Sequence, residues 1–243
     1  MLMVRDHGVD DYAALLDMDA TDVGVLTDDD RDCLNALGEY LVSAGAWRRF
    51  AIWLLHKHFE PAPGEVFVER TITEHRQTHT TPIPRAGFTR AELSATAMRF
   101  DTADKTVLGL VDMEFAAPAD LGSAAPVSPA DEVVLAGLAE ILQAHGKADR
   151  FGVRLIRDQL ELSNGEVLLE TCDIDARALY CEVTDRGVIP ARSIETSWQW
   201  EPVITKTGPT PLMECRGTCQ VVSWCTPRED GGHNRSEQHP NVH

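Results

Sequence analysis

Residues 26–70 align with residues 127–171 at a constant offset of 101 positions, without a gap, and 14 of the 45 pairs are identical. The identities include Leu34/Leu135, Leu37/Leu138, Leu41/Leu142, Gly45/Gly146, Arg49/Arg150, Phe50/Phe151, Glu65/Glu166 and Glu69/Glu170. A repeat of this length points to two similar units, each needing its neighbour for cover. Both copies open with a helix signal. Thr27 and Ser128 are N-cap residues, Asp30 and Asp131 stand three positions on as an acidic capping box, and Pro129 occupies the first helical position. The leucine stripe steps by three and four, which spells one amphipathic helix in each copy. Gly45 and Gly146 then suit a left-handed C-terminal cap.

Residues 49–59 and 150–160 are rich in large apolar and β-branched side chains and read as strands. The next strands start at Glu65 and Glu166, after Pro63-Gly64 (a type II turn) and Asn164-Gly165 (a type I′ turn). The expected class is α+β, with an internal duplication. Each half would be one amphipathic helix followed by an antiparallel β-meander, and the halves would pack with pseudo-twofold symmetry as a sheet system or a barrel. Residues 1–25 form an N-terminal acidic extension with a short helix near 10–17. Repeat 1 spans 26–115, a small, Pro-containing linker 116–126, repeat 2 127–225, and a polar, disordered tail 226–243.

The chain has 243 residues and a formal charge of −17, which argues against nucleic acid or an anionic membrane as partner. No apolar run reaches the length of a membrane span, and the charged N-terminus holds no secretion signal. Six cysteines in a chain with enough core fit reduced thiols in a cytoplasm. Cys215, Cys219 and Cys225 have no standard zinc spacing. No G-x-G-x-x-G, P-loop, H-E-x-x-H or G-x-S-x-G occurs.

One copy departs from the other at His56 and His58, which are Arg157 and Gln159 in the second. On a strand these histidines share a face about 6–7 Å apart, a spacing that suits two ligands of one metal ion. If Ala62 and Glu65 close a two-residue hairpin, His58 faces Glu69 and His56 faces Thr71. His56, His58 and Glu69 therefore make a candidate two-histidine, one-carboxylate metal and catalytic site for Zn²⁺ or Fe²⁺. Glu170 in the second copy has Arg157 as its expected partner.

The charge is uneven. Residues 51–100 carry six Lys/Arg against five Asp/Glu, and four of the nine histidines. Arg70, Thr71, His75 and His79 are the candidate substrate contacts, on an extended strand that continues past Glu69. The leading expectation is a metal-dependent enzyme acting on a small molecule, an anionic one being favoured by these arginines. The alternatives are a metal-free enzyme or small-molecule binder using His56 and His58 as acid and base, and a non-enzymatic acidic interaction protein. Trp198 and Trp200 share one face and fit core packing better than a ligand roof.

Overall fold

The computed structural model describes residues 2–17, 26–89, 91–101, 108–191, 193–205 and 212–225, with the backbone alone for Leu2, Leu16, Asp17 and 203–224. Arg90, the side chains of Cys215, Cys219 and Trp224, and the tail from 226 with its histidines lie outside the described residues.

In chain order the elements are β1 (Leu2–Asp6), α1 (Val9–Ala13), β2 (Leu16–Asp17), α2 (Asp28–Ser43), β3 (Phe50–Leu54), β4 (His56–Lys57), β5 (Glu65–Ile72), β6 (Gln77–Pro84), β7 (Ser94–Asp101) and β8 (Leu108–Ala116). They continue as α3 (Glu132–His145), β9 (Phe151–Leu155), β10 (Glu166–Asp173), β11 (Ala178–Asp185), β12 (Ile194–Thr205) and β13 (Leu212–Cys225). Both larger helices start as local chemistry requires. Asp30 N–H donates to Thr27 Oγ1 at 3.2 Å, and the Asp30 carboxylate accepts Thr27 N–H at 3.0 Å. Ser128 and Asp131 form the matching box. Gly146 caps α3 at φ 65°.

The expectation of two helix-plus-meander halves is overturned. Among the described residues, eleven strands form one mixed sheet in the order β1-β8-β5-β6-β11-β10-β13-β12-β3-β9-β7. β7 also pairs with β8, so the sheet curls back on itself. Three pairings are parallel, β1–β8, β5–β8 and β10–β13. A meander would pair each strand with its successor. Instead β3 sits between β9 and β12, more than 90 residues along the chain.

The reason lies in the strand and in the loop behind it. All five residues of β3 are buried, so both its faces need cover and both its edges need partners. Pro61 and Pro63 lack the N–H groups that a ladder continuing through the loop would use. The turn before β5 does form, with Glu65 N–H donating to Ala62 O at 3.0 Å and Gly64 at φ 81°, but it does not close a hairpin. Gly165 has φ 90° while Asn164 keeps negative φ, so the second turn is also of type II rather than I′.

Residues 2–6, placed in the N-terminal extension by sequence, are a strand of this sheet. No helix among the described residues is long and apolar enough to cross a membrane. α2 and α3 pack on one face of the sheet, over Phe50, Ile52, Leu54, Phe151, Val153, Leu155, Trp198 and Trp200. Alternation along β3 and β9 sends Trp53 and Arg154 to the opposite face, the interior of the curl. There Trp53 joins Tyr12, Phe67, Val111 and Met113 in a second apolar cluster.

Candidate functional site

The interior holds a density of buried charge that needs explanation, because an ionised group out of water is costly unless paired. Glu69 is on β5, Glu114 on β8, Glu170 on β10 and Arg154 on β9, and Arg157 follows β9. The three glutamates are each no more than 3% exposed. Arg154 Nη2 donates to Glu114 at 2.8 Å and to Glu69 at 3.4 Å, and its guanidinium lies 5.5 Å from the centre of the Trp53 ring. Arg157 pairs with Glu69 and donates to the Asp120 carbonyl at 3.2 Å. Burial pushes the Glu114 carboxyl above its usual range. Arg154 opposes that shift, while Glu69 and Glu170 reinforce it.

The hairpin register expected from sequence does not occur. β5 pairs with β6 and β8 rather than with β3, so Glu69 is not held beside His58. The carboxylate beside the histidines is Glu170. Its Oε2 lies 3.4 Å from His56 Nε2 and 3.8 Å from His58 Nε2. The carboxylate partners are thus exchanged: His56 faces Glu170, and its counterpart Arg157, 101 positions on, faces Glu69. The expected Glu170–Arg157 pair is not made because each group meets a residue of the other sequence copy.

The His56 and His58 rings are 4.6 Å apart. Ligand atoms of His56, His58 and Cys225 all lie within 4.8 Å of one another. Cys225 is brought there by the parallel β10–β13 pairing, where it stands opposite Glu170. His56 Nδ1 is 2.7 Å from the Leu54 carbonyl. A carbonyl only accepts, so that nitrogen carries the proton and Nε2 is turned to Glu170. Glu170 Oε1 in turn accepts from Thr196 Oγ1 at 3.1 Å.

A cavity of about 490 Å³ opens beside the glutamate–arginine group. Glu69, Thr71, Arg154, Arg157, Cys181 and Ser197 line its inner part, and Asp158, Glu161 and Glu201 lie toward solvent. Thr71 is thus the one expected substrate contact that reaches the cavity, and its hydroxyl is tied to Gln159 Oε1 at 2.5 Å. Arg70, His75 and His79 do not reach it. The strand expected to run on past Glu69 ends at Ile72, and the chain reverses through Thr73–His75 and Arg76, which takes φ 49°. After that reversal Arg70 stands opposite His79, on the face away from Glu69. His79 stacks on Tyr180 at 4.6 Å, and His75 is exposed. Cys181 is buried, and burial raises its thiol well above the usual range, with the Glu170 charge adding to the effect.

Arg154, Glu114 and Cys225 were missed by sequence reasoning. Arg154 and Glu114 occupy positions of alternating strands that inward parity would have flagged, whereas nothing local marks Cys225. No protein-family model, curated protein or solved structure matches this chain.

Proposed function

We propose that the protein is an enzyme acting on a small molecule with a single anionic group, held in the interior cavity. The observation that carries this reading is the placement of Arg154 and Arg157 on the wall of a 490 Å³ cavity beside Glu69. A cavity of this size suits a small ligand. Two guanidiniums against one cavity wall favour an anion. Asp158, Glu161 and Glu201 nearer solvent disfavour a polyanion. Glu69, between the two arginines, is the group placed to move a proton to or from the bound molecule.

Titration calorimetry with propionate, benzoate, inorganic phosphate and citrate tests the reading. Monocarboxylates are expected to bind more tightly than citrate, and Arg157→Gln to weaken their binding about tenfold or more. Equal, weak binding of all four probes that Arg157→Gln leaves unchanged would remove the cavity as an anion site.

A further inference from the structure

We propose a second, separate site: a closed zinc centre formed by His56 Nε2, His58 Nε2, Cys225 Sγ and Glu170 Oε2. The donor set is two imidazoles, one thiolate and one carboxylate, all of which zinc accepts. It differs from the sequence expectation in its carboxylate and in gaining a sulfur.

Distances among the two imidazoles and Cys225, and from Glu170 to each imidazole, support one ion. Zinc bonds of ~2.0–2.3 Å in a tetrahedron place neighbouring donor atoms ~3.3–3.6 Å apart. The two carboxylate–imidazole separations are 3.4 and 3.8 Å. Both exceed the ~2.7–2.9 Å of a charge-assisted hydrogen bond, as though something occupied the space between. The separations among the His56, His58 and Cys225 donor atoms are at most 4.8 Å, so an ion would draw the widest of these edges in by ~1 Å.

The surroundings are those of a structural rather than an open catalytic centre. The His56, His58 and Glu170 side chains are 1%, 8% and 4% exposed, and Cys225 is 0% exposed. The outer contacts that fix ligand orientation are present too, His56 to Leu54 O and Glu170 to Thr196 Oγ1. The ion would join the β4 segment to β10 and β13, segments separated by more than 100 residues between the first and second, and would tie the chain after β3 to the large sheet.

The test uses the full chain and does not depend on the anion site. Metal is stripped, and Zn²⁺ or Co²⁺ is added back while content and absorption are read. We expect one equivalent of zinc, a cobalt–thiolate charge-transfer band, and a higher melting temperature with metal. Cys225→Ser should abolish the band. Glu69→Gln should leave both metal uptake and the band unchanged. Thr196→Val, which touches no ligand atom of the ion, should weaken zinc affinity about 10- to 100-fold. The proposal is overturned if the folded wild-type chain takes up no stoichiometric zinc, or if it takes up zinc with no thiolate band under cobalt. An NMR signature of His56 with protons on both ring nitrogens in the presence of zinc would overturn it equally, because such a ring has no lone pair to give an ion.

Discussion

Asp30 shows how much one side chain can hold together. It caps α2, and it also receives Lys147 at 2.7 Å and Arg150 at 3.0 Å from the segment after α3. Arg49, after α2, returns the favour to Asp131 before α3, through bonds of 2.5 and 2.7 Å. Each helix start is therefore clamped to the residues that follow the other helix. Asp30 is 1% exposed, so removing it strands two cations at a buried edge and loses a cap. Asp30→Ala is expected to cost about 3 kcal/mol in urea unfolding. Asp30→Asn, which retains the capping oxygen, should cost less. Equal losses would mean that the capping oxygen contributes nothing.

The cap itself was legible, because it depends on residues three apart. Its ion pairs were not, since they depend on where the other helix lies. The same divide explains the histidines. They were expected on one strand, but β3 ends at Leu54 and His58 lies beyond β4, and the identity of their carboxylate required the β10 position, which only long-range pairing decides.

At the scale of elements, α2 lies very close to the sheet. A methyl group at Gly38 would fall 2.1 Å from the Trp200 indole nitrogen, and Trp200 is itself buried. Gly38→Ala should therefore push α2 away from β12 and destabilise by about 1–3 kcal/mol, despite the higher helix propensity of alanine. A gain in melting temperature would show that the helix has room to move. The elements themselves were largely readable. Helix starts, the Gly64 turn and the apolar run of β3 all follow from residues near in sequence. Their partners were misassigned because a two-residue turn was equated with a hairpin, and the prolines on the loop allow the turn without the ladder.

For the whole molecule, acid stability follows from the carboxylates. Arg5 holds Asp11 below its usual range. Asp131 lies low despite burial, because Arg49 and the Ser128 N–H bond it; Asp30 does so through Lys147 and Thr27. Groups with depressed folded pKa stabilise above the ordinary carboxylate range of ~4 and lose that contribution as pH falls below it. Between ~6.5 and ~4 two buried groups oppose one another. Burial lowers the His7 pKa, so its folded-state advantage fades as pH drops through the unfolded value, while the raised Glu114 carboxyl favours the folded state as it takes up a proton. Glu114→Gln should leave the histidine effect alone, and its melting temperature should fall with pH more steeply than the wild type across this window. Parallel profiles would remove Glu114 from the balance.

The place of β3 also governs how the chain comes to be folded. It is synthesised early, yet its neighbours are Phe151–Leu155 and a strand that pairs Ile52 with Trp198. Until those later residues leave the ribosome, an apolar strand buried on both faces in the finished protein has nothing to lie against. Contacts this distant in sequence make closure slow. During that interval the nascent first half offers a sticky edge to any chain nearby, so chaperone protection during translation would matter more to this protein than to one whose halves fold in turn.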